Sequence, residues 1–166
     1  LNEMTSPSGG FYSAQDADSD GEEGKYYVFT PEEIIGLLGQ VDGAAFCERF
    51  GITKAGNFEG KSIPNLLRAK NLTDERFYPF LPALREYRRG RTHLHTDDKI
   101  LTAWNALMIA ALCRLYRCSR NPRYLEAAKR AQGFIENNLC IQDALYVSFR
   151  DGKLSEHGFL DDYASY

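Results

Sequence analysis

The sequence predicts a mainly α protein with a β-hairpin near its N-terminus, on three observations. Leu101, Trp104, Met108, Ala111 and Leu115 recur at steps of three and four, the spacing of one helix face. Tyr124, Ala128, Ala131, Ile135 and Leu139 repeat that spacing behind an Asn121-Pro122 start, so two long helices are expected to pack as an antiparallel hairpin. Phe11-Tyr12 and Lys25-Tyr26-Tyr27-Val28-Phe29 have the aromatic and β-branched enrichment of strands. They flank an acidic loop, which predicts a hairpin with a long acidic tip.

In chain order, Leu1 to Thr5 reads as the last turn of a helix and Ser6-Pro7-Ser8-Gly9-Gly10 as a turn. After the hairpin, Thr30-Pro31-Glu32-Glu33 combines a cap, a proline at the first helical position and a Glu that reaches back, so a helix starts here and runs to Gly39. Asp42 to Phe50 gives a second helix, stopped by Gly51. Gly51 to Pro64 is a breaker-rich loop with a short extended piece near Phe58, and Thr73 to Arg89 is helical, its first turns delayed by Pro79 and Pro82 and its end set by Gly90. The central helix is expected over Thr96 to Tyr116, capped by Thr96 or Asp97. Beyond the second long helix, Leu145 to Phe149 with the Asp151-Gly152 turn predicts a small hairpin, and Phe159 begins a last helix.

The 166 residues suffice for one ordinary domain. Charge is nearly balanced, 20 Lys and Arg against 23 Asp and Glu without a block of one sign, which argues against nucleic acid or an anionic membrane as partner. No apolar run reaches the roughly 18 residues of a membrane span. Cys47, Cys113, Cys118 and Cys140 show no CxxC spacing and read as reduced, structural thiols in a cytoplasmic protein. Both ends of the chain look cut from something longer.

The stretches GGFYSAQDADSDGEEGKYYVFTPEEI, GNFEG, DDKILTAWNALMIAAL and GFLDDYA, in this order, resemble the spermatogenesis-associated proteins and their bacterial thioredoxin domain-containing relatives. The resemblance runs over nearly the whole chain. It implies a helical toroid like that of the six-hairpin glycosidases and N-acylglucosamine 2-epimerases, which in that family follows a thioredoxin-like domain. Residues 1–166 are then a fragment of one α/α toroid, about half of the barrel, without the thioredoxin-like domain. No thiol chemistry carries over to the cysteines here. Gln15 stands where the family often has Glu, and Ala106 where it usually has Gly after Trp-Asn. Half a toroid leaves apolar faces open, so self-association or completion by other chains is expected.

Three groups of residues are candidates for chemistry. Asp16, Asp18, Asp20 and Gly21 spell the first half of a calcium loop, but its twelfth position is Tyr27 rather than Glu. The run reads instead as an acidic turn, with Asp16 and Asp18 either binding substrate or closing Asx-turns on their own backbone. Asp98, Thr102 and Asn105 form a polar stripe along the central helix, with Asp97 and the single Trp104 beside them. Asp97 and Asp98 offer a carboxylate pair, His95 a base, and Trp104 with Asn105 a surface on which a sugar ring packs. Asp161, Asp162 and Tyr163 repeat the pattern at the last helix start, where Asp162 is either a cap or a ligand contact. The expectation is a carbohydrate-active or carbohydrate-sensing toroid with catalytic Asp98, Asp97, His95 and Asp161, hydrolysing or epimerising a sugar without metal or cofactor. Asp16, Asp18, Trp104, Asn105, Asp162 and Tyr163 would bind the substrate. The alternative is a non-catalytic binding or scaffold module serving the thioredoxin-like domain.

Overall fold

The computed structural model describes all 166 residues and is mainly α. Short strands β1 (Ala14–Gln15), β2 (Asp18–Ser19) and β3 (Glu22–Glu23) precede helices α1 (Pro31–Leu38) and α2 (Gln40–Phe50). A 3-10 turn over Glu75–Phe80 enters α3 (Leu81–Arg91). Strands β4 (Thr96–Asp97) and β5 (Ile100–Leu101) lead to the long helices α4 (Thr102–Ser119) and α5 (Pro122–Asn138). Strands β6 (Cys140–Ile141), β7 (Ala144–Leu145), β8 (Ser148–Arg150) and β9 (Lys153–Leu154) come before α6 (Leu160–Ser165). The chain divides into two compact units, one of Asp16–His95 and one of Leu1–Gln15 with Thr96–Tyr166. No helix is long and apolar enough to cross a membrane.

In the unit Asp16–His95 the capping box at the start of α1 is formed as its sequence predicts. Glu33 donates its backbone N–H to the Thr30 hydroxyl at 3.3 Å, and the Glu33 carboxylate accepts from the Thr30 N–H at 2.8 Å. Ile34 of α1, Phe46 and Cys47 of α2 and Leu84 of α3 close a core with Phe29, Ile52 and Phe77. Phe46 stacks on Phe50 at 4.2 Å between ring centres, and Phe77 meets both rings edge-on. Pro79 falls in the 3-10 turn and Pro82 in the first turn of α3, where a missing N–H costs no hydrogen bond. Gly90 does not end α3, which runs on to Arg91.

The expected hairpin between Phe11-Tyr12 and Lys25–Phe29 is not formed. The acidic tip instead zips on itself, Asp18 opposite Glu23 and Ser19 opposite Glu22. Asp20 (φ 53°) and Gly21 (φ 76°) are both left-handed, the requirement of a two-residue type I′ turn that Asp-Gly satisfies. Phe11 bridges to Thr5 and Phe29 to Ser62, so Leu1 to Thr5 is not a helix turn either.

In the other unit α4 and α5 form the expected hairpin, turning at Arg120 (φ 55°) and capped by the Asn121 side chain, which accepts from Arg123 N–H at 3.0 Å. Leu112 of α4 packs on Ala127, Ala128 and Ala131 of α5, and Phe11 joins this cluster from the N-terminal segment. A β-carbon at Gly10 would stand 2.9 Å from two carbons of Ile100 and 3.1 Å from Phe134, so only glycine lets this segment lie so close. Sheet order is β5-β8-β9, with Ile100 opposite Phe149 and Phe149 opposite Leu154. The β8–β9 hairpin turns at Asp151-Gly152 as predicted.

The central helix differs from expectation in two ways. It starts at Thr102, because Thr96–Asp97 pairs with β1 and Ile100–Leu101 with β8. Its faces are also inverted. Trp104, Leu107, Met108 and Leu115 are exposed, whereas Thr102, Ala103, Asn105, Ala106 and Leu112 are buried.

Candidate functional site

The polar groups at the start of α4 are built into the fold rather than left facing a cleft. Asn105, 1% exposed, accepts the Phe11 N–H on Oδ1 at 2.7 Å and donates Nδ2 to the Phe11 carbonyl at 3.0 Å and to that of Leu101 at 2.9 Å. These bonds satisfy both backbone groups of a residue that the Gly9-Gly10 turn delivers against the helix. Thr102 is fully buried; its hydroxyl donates to the Tyr146 carbonyl at 2.5 Å and its N–H to that of Val147 at 2.9 Å. Asp162, 3% exposed, accepts the Ala103 N–H at 3.1 Å on one oxygen and the Phe159 N–H at 2.9 Å on the other. One carboxylate thus serves the positive ends of two helices, α4 and its own α6.

The remaining carboxylates of this unit are more open. Asp97 takes the Lys99 ammonium at 3.2 Å and the Lys99 N–H at 3.3 Å. Burial pushes the Asp97 carboxyl up, but the hydrogen bonds around it, led by the Lys99 side chain, outweigh that and hold it below the usual carboxylate range. Asp98 pairs with Arg150, whose Nε lies 2.7 Å from Oδ1, off the line of a good hydrogen bond. Asp161 is exposed. Tyr163 is 48% exposed while its hydroxyl accepts the Leu145 N–H at 3.0 Å, and Trp104 is 56% exposed. A cavity of about 500 Å³ beside α4, with Ala106, Gln132, Glu136 and Tyr166 in its wall, is lined by none of these site residues.

Asp16, Asp18 and His95 belong to the unit Asp16–His95 and are exposed. Asp16 closes an Asx-turn on the Asp18 N–H at 3.2 Å, and its own N–H donates to the His95 carbonyl at 2.8 Å. Asp20 takes the Lys25 ammonium at 2.7 Å and the Thr92 hydroxyl at 2.9 Å, so the third acidic residue of the run braces the hairpin tip. Those contacts, led by the Lys25 hydrogen bond, hold its carboxyl low.

A more deeply set cluster in the same unit was not anticipated. The Arg91 guanidinium, at the end of an arginine-rich stretch, donates to the carbonyls of Lys25 (2.9 Å) and Val28 and to Glu33 at 3.1 Å, and lies 4.7 Å from the Phe29 ring centre and 5.1 Å from that of Tyr87. The Tyr87 hydroxyl donates to the same Glu33 at 2.8 Å. A solvated face is the natural reading of Arg85 to Arg91 by composition. Only the aromatic run Tyr26 to Phe29 hinted at cationic partners.

Fold and site together define a mainly α protein built on a tight helical hairpin whose buried polar residues grip backbone. No family model matches the chain. It is similar to Spermatogenesis-associated protein 20 of Homo sapiens, 28% identical over 95% of this chain and 26% of that protein. The Mus musculus protein of the same name is 32% identical over 62% of this chain and 18% of its own length. The chain therefore spans about a quarter or less of these relatives. Homology over most of the chain supports the spermatogenesis-associated family to which the sequence motifs point.

Proposed function

We propose that this chain is a non-catalytic binding and scaffold element of an α/α toroid, in a larger cytoplasmic protein whose thioredoxin-like domain carries the chemistry. The observation that supports this reading is the commitment of Thr102, Asn105 and Asp162 to backbone groups. A general acid needs a carboxyl kept protonated near neutral pH by apolar surroundings. Asp97 is held low instead, and Asp98 is ion-paired to Arg150. The exposed face of α4 then docks the module onto neighbouring helices of the toroid, its own or a second copy's. The unpaired cysteines agree with a reducing compartment.

One observation favours a second reading, a carbohydrate site. Trp104 on α4 and Asp161 and Tyr163 on α6 are exposed on two packed helices, an aromatic and acidic surface of the kind that stacks a sugar ring. The two readings separate in the full-length protein assayed against monosaccharides and aryl glycosides. The scaffold reading expects no turnover that Asp97→Asn, Asp98→Asn, Asp161→Asn or His95→Gln removes. Turnover lost in any of these variants, with the melting temperature unchanged, overturns it in favour of acid-base chemistry.

A further inference from the structure

The unit Asp16–His95 holds a cavity of about 270 Å³ that no candidate residue from the sequence touches. Ile34 of α1 and Phe46 and Phe50 of α2 form part of its wall, and α3 contributes Leu81, Leu84, Arg85 and Arg88, the i, i+3, i+4, i+7 positions of one helix face. That stripe changes character along the helix. Its first turn is apolar and its second carries two guanidinium groups, about 10 Å separating the two ends at 1.5 Å per residue.

No carboxylate lines the cavity, although the chain has more acidic than basic residues. Arg88 is committed elsewhere in part, its guanidinium lying over the Tyr26 ring at 4.7 Å. The acidic neighbour on the same helix, Glu86, pairs with Arg89 at 2.8 Å, and Arg85 stands exposed one turn from Leu81. A hydrocarbon pocket with a cationic edge is complementary to an anionic amphiphile.

We propose that this cavity binds a medium-chain carboxylate, its tail against Phe46, Phe50, Leu81 and Leu84 and its head at Arg85. The planar guanidinium fork matches a carboxylate in two parallel hydrogen bonds, and the apolar wall rewards burial of the chain. At roughly 30 Å³ for each water-sized group, the volume takes about nine such groups, so chains of about eight to ten carbons fit. A nucleotide would want backbone N–H donors and a glycine-rich turn at its phosphates, and the wall supplies neither. This site is independent of the role assigned to α4.

The test is calorimetric titration of the full-length protein with decanoate, decanol and decyltrimethylammonium, each below its micelle-forming concentration, and with acetate. Decanoate is expected to bind at least tenfold more tightly than the ten-carbon cation, with decanol between them and acetate silent. Arg85→Glu should lower decanoate affinity at least tenfold with an unchanged melting temperature. Arg85→Gln gives the same direction should charge reversal disturb folding. Equal affinity for the three ten-carbon probes, which would mark an apolar docking groove for a peptide, overturns the proposal. So does decanoate binding that neither Arg85 variant weakens, or no decanoate binding at all.

Discussion

Asn105 and Phe11, 94 positions apart, are joined by two hydrogen bonds, N–H to Oδ1 at 2.7 Å and Nδ2 to carbonyl at 3.0 Å, so one amide side chain stands in for a strand neighbour. Removing it leaves the N–H and C=O of a buried residue without partners. Asn105→Ala is expected to cost about 2–6 kcal/mol, since each of the two orphaned groups costs about 1–3. Asn105→Asp keeps an acceptor for the Phe11 N–H but sets a carboxylate oxygen against the Phe11 and Leu101 carbonyls at a buried site, so it should cost at least as much. Urea unfolding measures the loss, and amide exchange at Phe11 should speed up in both variants.

Asp162 joins the start of α4 to its own helix through the N–H groups of Ala103 and Phe159. Asp162→Ala should destabilise by about 1–3 kcal/mol, at the upper end of cap losses because the carboxylate serves two helix ends. Asp161→Ala, one position away and exposed, should change stability by less than about 0.5 kcal/mol. Thermal melting of the two variants compares them directly. Equal losses would mean that Asp162 is not the shared cap.

What was legible in the sequence was local. Thr30, Pro31 and Glu33 lie within four residues of one another and their capping box formed as expected; so did the Asn121 cap and the α5 face from Ala128 to Leu139. Elements decided by distant partners were not legible. The start of α4 moved from Thr96 to Thr102 because Ile100 and Leu101 pair with Phe149 and Ser148, and no pattern within the helix encodes that pairing. Asp20-Gly21 was a readable type I′ signal, obscured by its likeness to half a calcium loop. Periodicity marked two stripes on α4 but not which one meets the core. The N-terminal segment brings Phe11 backbone groups that need polar partners, so Asn105 of the polar stripe turned inward. Arg91 reaches carbonyls more than sixty residues away, beyond any local reading.

The Glu33 cluster predicts a pH dependence of stability. The hydrogen bond to Glu33, with burial and the Glu33 charge adding to it, raises the Tyr87 phenol above its ordinary value. The neutral phenol is therefore favoured by folding: its contribution is fully present below the unfolded tyrosine value near 10 and is lost as pH rises through the higher folded value. Wild-type stability should thus fall more steeply above about pH 10 than that of Tyr87→Phe. Urea midpoints between pH 8 and 11 read the difference. Parallel curves would mean that Tyr87 does not donate to Glu33.

The exposed face of α4 predicts association. Trp104, Leu107 and Met108 are 56%, 61% and 42% exposed and Leu115 is 48% exposed, a run of large apolar side chains on one long helix. Isolated exposed apolar residues are ordinary, but a continuous patch marks a surface that meets something apolar. The chain is therefore expected to self-associate at micromolar concentrations and to bind a dye that reports apolar surface. Leu107→Glu and Met108→Glu should weaken both without unfolding the helix, because neither side chain lies in the α4–α5 core formed by Leu112, Ala127, Ala128 and Ala131. Leu112→Ala, by contrast, removes a buried side chain and should cost about 2–5 kcal/mol. Sedimentation velocity across a hundredfold concentration range, paired with melting curves, distinguishes the two classes of variant. A compact, dye-negative wild-type monomer throughout that range would show that this face is not an interface between copies of the chain.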